Sequence, residues 1–264
     1  MKKIKQIVTI FAALALAVTA GLSFAGTKTK AAGSDEFTRT AIEIAADMGY
    51  GWNLGNTMEA TNTWTSNPKV TDFETAWGQP VTTKAMIHGI KKAGFNSIRI
   101  PVSWSNMMSS DGNYTIDASY FKRVDEIISY AFANHMYVII NDHYDGGWWE
   151  HFCGNKRDCM KHYKNMWTQV AEHYKDYSEK LIFESANEEL GDSLKKSLSK
   201  IDVNISDTAL YNLVNEINQT FVDIVRQSGG NNARRYLLIA GFNTDIDKTC
   251  SSLYEMPTDT ISNH

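Results

Sequence analysis

The segment MYVIINDHYDGGWW, residues 136–149, places an apolar run of strand-forming residues directly before a group of polar and aromatic ones. Its first half, MYVIIND, is rich in β-branched residues and too short for a helix, so it predicts a buried strand. Four further segments share this pattern: YGWNLGN at 50–56, SIRIPV at 97–102, LIFE at 181–184 and YLLIAG at 236–241. The chain therefore contains five predicted strands.

The segments between these strands carry apolar residues at helical spacing. They predict helices at about residues 83–93, from Asp117 onward, at about 160–174 and at roughly 208–228. Thr82 or Thr83 is a suitable N-cap for the first helix and Gly94 ends it, whereas Gly229 and Gly230 follow the last helix. Strands that alternate with helices predict an α/β fold with a parallel sheet.

Two α/β architectures fit this alternation, and chain length helps to separate them. A doubly wound sheet is usually marked by a glycine-rich phosphate loop after its first strand, and GWNLGNTMEA lacks that spacing. A (β/α)8 TIM barrel commonly fills about 250 residues. Only 23 residues follow Gly241, however, and three further units need more than about 100. We therefore expect a TIM barrel with only about the first five βα units present, in residues 26–264.

The first 25 residues have the layout of a secretory signal peptide. Lys2, Lys3 and Lys5 precede an apolar run, and small residues surround a predicted cleavage site after Ala25. An uncleaved membrane anchor over residues 7–25 is the alternative, although several polar residues interrupt that run. We expect signal cleavage, a secreted extracellular protein and no membrane association afterwards.

Composition excludes one class of partner and suggests another. Removal of residues 1–25 takes away three lysines and no acids, so the net charge changes from −4 to −7. Nucleic-acid binders usually display clustered Lys and Arg, so no nucleic acid is expected as a partner. The aromatic fraction of 11%, with seven Trp, suits stacking against the apolar faces of sugar rings, although buried aromatics give the same count.

The spacing of three cysteines leaves several interpretations open. Cys153 and Cys159 are close enough in an exported chain to form a disulfide, whereas Cys250 stands alone. HFCGNKRDCMKH also offers His151 and His162 for a zinc site, but the spacing matches no common zinc pattern. Free thiols are the third possibility. No metal or cofactor is expected.

Each predicted strand ends in polar residues, and in a barrel these ends converge on one face. The polar ends are Asn53 and Asn56 after the first strand, Arg99 in the second, NDHYDGGWW after the third and ESANEE after the fourth. Trp104, Trp148 and Trp149 directly follow the second and third strands and are candidate sugar platforms. Packing residues and turn formers are the alternative roles for these Trp and Asn side chains.

The set of motifs resembles a known enzyme family. GWNLGNTME, ETAWGQPVTT, GFNSIRIPVSW, YVIINDHYDGGWW and LIFESANEE, in this order, are similar to the retaining endoglucanases of glycoside hydrolase family 5, close to subfamily 4. The resemblance covers roughly residues 40–245. It implies a (β/α)8 barrel in which an Asn-Glu pair ends strand four and a second Glu ends strand seven.

The resemblance implies roles for individual residues of this chain. Glu188 matches the general acid/base, Asn187 the partner of the sugar 2-hydroxyl, Arg99 the arginine that keeps the nucleophile ionised, and His143 a hydrogen-bonding histidine of the active site. The alternatives are a solvated carboxylate for Glu188, a structural ion pair for Arg99 and a core histidine for His143. The expected substrate-binding residues are Asn53, Trp104, Tyr144, Trp148 and Trp149.

Retaining hydrolysis needs two carboxylates roughly 5 Å apart. Glu184 and Glu189 lie too near Glu188 in sequence to face it across a substrate, so we expect the nucleophile to be absent from this chain. Glu189 also occupies a place where many relatives have proline or an apolar residue. The predicted function is a monomeric, secreted endo-β-1,4-glucanase acting on a β-glucan polysaccharide, here as an inactive partial chain. A β-mannanase or a non-catalytic carbohydrate-binding fragment are the alternatives.

Overall fold

The structure, a computed structural model, describes residues 36–196 and 203–262. The predicted signal peptide, its cleavage site and the alternative anchor all lie outside these residues. Within the described part of the chain, no helix is long and apolar enough to cross a membrane.

Five parallel strands form one sheet in the order of the sequence, as predicted. They are β1 (Gly51–Asn53), β2 (Ser97–Ile100), β3 (Tyr137–Asn141), β4 (Leu181–Glu184) and β5 (Leu237–Leu238). Every neighbouring pair is parallel, with Asn53 opposite Arg99 and Asn141 opposite Glu184. This sheet is a partial barrel of the predicted α/β class.

The helices lie between the strands and cover the sheet. They are α1 (Ala41–Met48), α2 (Val70–Glu74), α3 (Lys84–Lys92), α4 (Ala118–Phe132), α5 (Lys156–Tyr174), α6 (Asp207–Gln227) and α7 (Ile246–Thr249). The four predicted helices correspond to α3, α4, α5 and α6. Thr83 and Asp117 cap α3 and α4 through their side chains, as the sequence indicates. The short helices α2 and α7 were not predicted.

The outer strands are shorter than predicted because each has one neighbour in the described sheet. β1 covers three of the seven expected residues and β5 two of six. All three residues of β1 are exposed, and Leu238 in β5 is 45% exposed. By contrast, all four residues of β4 are buried. A strand with a neighbour on one side only makes fewer interstrand hydrogen bonds and fewer side-chain contacts, which shortens its regular part.

Helix α1, which the sequence analysis missed, packs at the end of the sheet where the strands begin. Thr40 and Glu43 form a reciprocal capping box that fixes its start. Its buried Ile44 joins a small core with Phe37 and Tyr137. The other members of this core are Ile182 and Tyr236. Apolar side chains therefore close this end of the sheet, together with the ion pair between Arg39 and Glu179 at 2.5 Å.

The cysteines are free thiols, which makes the disulfide interpretation wrong. Helix α5 begins at Lys156, four residues before the predicted start, so Cys159 lies inside the helix and is buried. Its thiol contacts the carbonyl of Trp148 at 3.8 Å. Among residues 36–196 and 203–262, no group of three or more His, Cys, Asp or Glu side chains is arranged to hold a metal ion.

Arg235, just before β5, is a fully buried cation that joins three parts of the fold. Its guanidinium donates to carbonyls at the end of α5 and the start of β4, including Tyr174 at 3.0 Å, Tyr177 at 2.8 Å and Leu181 at 2.6 Å. It also donates to Asn232 Oδ1 at 2.5 Å. Burial lowers the pKa of Arg235 to about 9. The carbonyl oxygens accept the hydrogen bonds that the guanidinium would otherwise donate to water.

We expect Arg235→Met to lower the free energy of unfolding by about 3–5 kcal/mol, because several buried carbonyls lose their donor together. Arg157→Met is the matched control, since its side chain is 89% exposed. It should change stability by no more than about 0.5 kcal/mol. Urea unfolding followed by circular dichroism measures both. Equal midpoints for the two variants would contradict a structural role for Arg235.

Candidate active site

Backbone hydrogen bonds continue past the ends of the strands and set the positions of the site residues. Leu54 donates to the Arg99 carbonyl at 2.8 Å, and His143 donates to the Val102 carbonyl at 3.0 Å. Asn187 donates to the Asp142 carbonyl at 3.1 Å. The polar segments after β1, β2, β3 and β4 are therefore held side by side at one edge, as the sequence predicts.

Arg99 is the centre of this edge. Its Nε and Nη2 donate to the two carboxylate oxygens of Glu184 at 2.6 and 2.9 Å, a bidentate ion pair across the sheet. Nη1 donates to Asn53 Oδ1 at 2.9 Å, and Nη2 also donates to Asn187 Oδ1 at 2.9 Å. One guanidinium thus connects residues from β1, β2 and β4 and from the segment after β4.

These bonds fix the orientation of the Asn187 amide. Its oxygen accepts from Arg99, so its Nδ2 must point away from the guanidinium, where it reaches Glu189 Oε1 at 3.4 Å. Such a long contact is weak and leaves the N–H available to another acceptor. Asn187 is therefore presented as a hydrogen-bond donor beside Glu188, which suits recognition of a sugar hydroxyl oxygen.

The three carboxylates of LIFESANEE occupy different surroundings. Glu184 is buried and is held by Arg99. Glu189 is 6% exposed, and its Oε2 has no hydrogen-bond partner. Glu188 is the exposed member, on the turn that follows β4. Of the three, only Glu188 faces solvent, where its carboxyl group is accessible to a bound ligand for proton transfer.

His143 lies half-buried beside Arg99. Burial, and then the positive charge of Arg99, lower its pKa to about 4. The imidazole is therefore neutral near pH 7 and offers one N–H donor and one nitrogen acceptor. A neutral ring suits hydrogen bonding to a polar, uncharged ligand.

Two further carboxyl groups lie under the site and were not singled out from the sequence. Asp142 and Asp145 are buried, with exposures of 0% and 1%. Burial raises the pKa of Asp142 well above its ordinary range, and Asp145 and Glu189 add to the rise. Trp149 Nε1 donates to Asp142 Oδ2 at 2.9 Å, whereas Oδ1 has no partner. A neutral Asp142 is the form that such burial favours.

Two of the predicted sugar platforms are wrong. Trp104 and Trp149 are both fully buried, so neither presents a ring face to a ligand. Trp104 Nε1 donates to the Asn141 carbonyl at 2.9 Å, and its ring packs against Tyr120 and Phe121. Both indoles follow a strand and complete the core beside it, which sequence position alone does not distinguish from a ligand contact.

The other predicted substrate-binding residues remain accessible. Tyr144 is 40% exposed, and Asn53 is exposed while its oxygen accepts from Arg99. Trp148 is half-buried, with its ring centroid 4.5 Å from that of Trp149 and 4.3 Å from that of His162. The most exposed tryptophan is one that the sequence analysis did not select, Trp64, at 95%.

The Asn-Glu pair after the fourth strand and the arginine-centred network at this edge match the arrangement that the resemblance to retaining glycoside hydrolases implies. Residues 58–264 match the family described as Cellulase (glycosyl hydrolase family 5). The chain is 42% identical to Endoglucanase A of Paenibacillus barcinonensis over 255 residues, which cover 94% of this chain and 60% of that protein. This chain belongs to glycosyl hydrolase family 5.

Solved structures give the same assignment. A broad-specificity GH5-4 endoglucanase from Ruminococcus champanellensis with bound cellotriose has a TM-score of 0.76 and 37% identity, covering 87% of this chain and 65% of that one. A glycoside hydrolase 5 lichenase from Caldicellulosiruptor sp. F32, in complex with cellotetraose, has a TM-score of 0.74 and 38% identity, covering 88% and 62%. The chain therefore spans less than two thirds of the length of these relatives.

Burial of Glu189 predicts a pH-dependent stability. Desolvation raises its pKa from 4.5 to about 7 in the folded state. In the unfolded chain Glu189 ionises near the ordinary value, so folded-state stability should fall as pH rises from about 4.5 to about 7, by at most about 3.5 kcal/mol. Glu189→Gln should remove this loss, because its amide is neutral throughout.

The measurement is chemical unfolding of wild type and Glu189→Gln at several pH values between 4 and 8. Glu188→Gln is the neighbouring control, since that side chain is exposed. It should keep most of the wild-type pH dependence, because burial contributes more to the raised pKa of Glu189 than the charge of Glu188 does. Parallel stability profiles for wild type and Glu189→Gln would contradict the assignment of a neutral, buried Glu189.

Proposed function

We propose that this chain supplies the acid/base half of the active site of a secreted, retaining endo-β-1,4-glucanase. The observation that carries the proposal is the network in which Arg99 orients Asn187 immediately before the exposed Glu188. The family assignment and the cello-oligosaccharides bound to two related structures support a β-1,4-linked glucan as substrate. The signal-like N-terminus supports secretion, and we expect a monomer.

In the proposed reaction, Glu188 acts first as an acid and then as a base. It donates its proton to the glycosidic oxygen as that bond breaks, while a carboxylate nucleophile attacks the anomeric carbon from the opposite face. Glu188 then removes a proton from the water that hydrolyses the glycosyl-enzyme. Asn187 donates to the sugar 2-hydroxyl, Tyr144 and Trp148 contact neighbouring sugars, and neutral His143 hydrogen-bonds within the site.

The nucleophile in this proposal comes from a later strand than the five described. The other glutamates of this chain that we considered as nucleophiles already have partners or are buried. Glu59 accepts from the backbone N–H groups of Asn56 and Thr57, and Glu184 is held by Arg99. Glu150 pairs with Lys196 at 2.8 Å, and Glu189 is buried. In each case an existing partner or burial opposes attack on a sugar carbon.

Glu188→Gln, in a form of the enzyme with a complete barrel, should reduce turnover of polysaccharide by about 10²- to 10⁴-fold, because the proton donor is lost. The decrease should be much smaller on aryl glycosides with good leaving groups, which need little protonation. Steady-state kinetics on barley β-glucan and on an aryl cellobioside measure the difference. Equal losses on both substrates would contradict the acid/base role.

The 264-residue chain alone should not hydrolyse carboxymethylcellulose or barley β-glucan, because the covalent intermediate requires a second carboxylate across from Glu188. Reducing-sugar release measures this directly, with mannan as a further substrate to test the mannanase alternative. A cooperatively folded chain whose turnover disappears in Glu188→Gln would refute the proposal. It would require a nucleophile among Glu59, Glu150, Glu184 and Glu189.

A further inference from the structure

We propose that the loop after β1 carries a second sugar-binding position, built on Trp64 and separate from the Arg99 network. This β1 loop comprises residues 54–69. Trp64 is 95% exposed, more than any other large apolar side chain in the described residues. The indole of tryptophan is a large flat surface whose burial is favourable, so an exposed indole on an ordered loop suits a residue that is covered when ligand binds.

The part of the β1 loop leading to Trp64 is firmly held. Ser103, just after β2, donates through its hydroxyl to the Glu59 carbonyl at 2.8 Å, and Asn106 Nδ2 donates to the Ala60 carbonyl at 2.8 Å. Trp77 Nε1 donates to the Thr61 carbonyl at 3.1 Å. A loop that is ordered in advance loses little conformational entropy when a ligand stacks on it.

The residues around Trp64 define the chemistry of the ligand. Between Glu59 and Lys69 the loop has no charged residue and reads ATNTWTSNP. Its hydroxyl and amide side chains at Asn62, Thr65 and Ser66 are exposed. An aromatic side chain flanked in sequence by neutral donors and acceptors matches a neutral polyhydroxylated ring, whose C–H face stacks while its hydroxyls hydrogen-bond.

The position of the loop connects this site to the reaction. The loop leaves β1 at Asn53, within the Arg99 network, and passes over the end of β2, where Ser103 N donates to the Met58 carbonyl at 3.1 Å. Trp64 therefore lies on the same end of the sheet as Glu188. This inference rests on the proposed function in one respect: the ligand is taken to be the polysaccharide that Glu188 cleaves, bound here at a distance from the cleaved bond.

The test is affinity electrophoresis of the chain in native gels that contain barley β-glucan, xyloglucan or galactomannan. Trp64→Ala should weaken binding to at least one of these polymers by about tenfold, equivalent to about 1.4 kcal/mol. Trp64→Phe should retain most of the binding, because it keeps a flat ring. Tyr50→Ala is the matched control, because Tyr50 is 83% exposed but precedes β1 at the other end of the sheet. This variant should bind the polymers as tightly as wild type does.

The outcomes separate this inference from the proposed function. Three outcomes would overturn the Trp64 site: unchanged binding by Trp64→Ala, an equal loss of binding in Tyr50→Ala, or no retardation of the wild-type chain by any of the three polymers. None of these outcomes changes the test of Glu188. Retardation that depends on Trp64 in galactomannan alone would support the site and overturn the choice of β-glucan as substrate.

Discussion

The bidentate ion pair between Arg99 and Glu184 is the interaction on which the polar end of the sheet depends. The two side chains come from β2 and β4, which are separated by β3, and they meet with two short hydrogen bonds. Glu184 thus binds one side of the guanidinium, and the remaining donors are directed to Asn53 and Asn187. Without the carboxylate, the partly buried cation would lack its counter-ion, and the amides would lose their fixed orientation.

This arrangement explains how one end of a small sheet serves packing and the other serves chemistry. Phe37, Ile44 and Tyr236 pack at the end where the strands begin, beside an ion pair between Arg39 and Glu179. At the opposite end burial raises the pKa of both Asp142 and Glu189, whereas Glu188 beside Glu189 is exposed. Glu188 and Glu189 are neighbours on one short segment, yet they differ in their contact with solvent.

Much of this was predictable from the sequence, and the errors have a common cause. The alternation of MYVIIND and LIFE with amphipathic segments gave the parallel sheet, and residue order placed Arg99 and Asn187 at one edge. Sequence could not show that Glu184 holds Arg99, since 85 residues separate them. Nor could it separate Trp104, which is buried, from Trp64, which is exposed. That distinction depends on which neighbours surround each indole, and those neighbours come from α4 and from other loops.

The carbonyl-binding role of Arg235 also has a consequence for synthesis on the ribosome. The oxygens of residues 174–181 leave the exit tunnel more than fifty residues before their donor does, because Arg235 is 54 residues beyond Leu181. Until then these oxygens have only water as a donor in place of Arg235. The buried form of the turn between α5 and β4 therefore depends on a residue that is synthesised much later, which couples the fourth unit of the fold to the fifth.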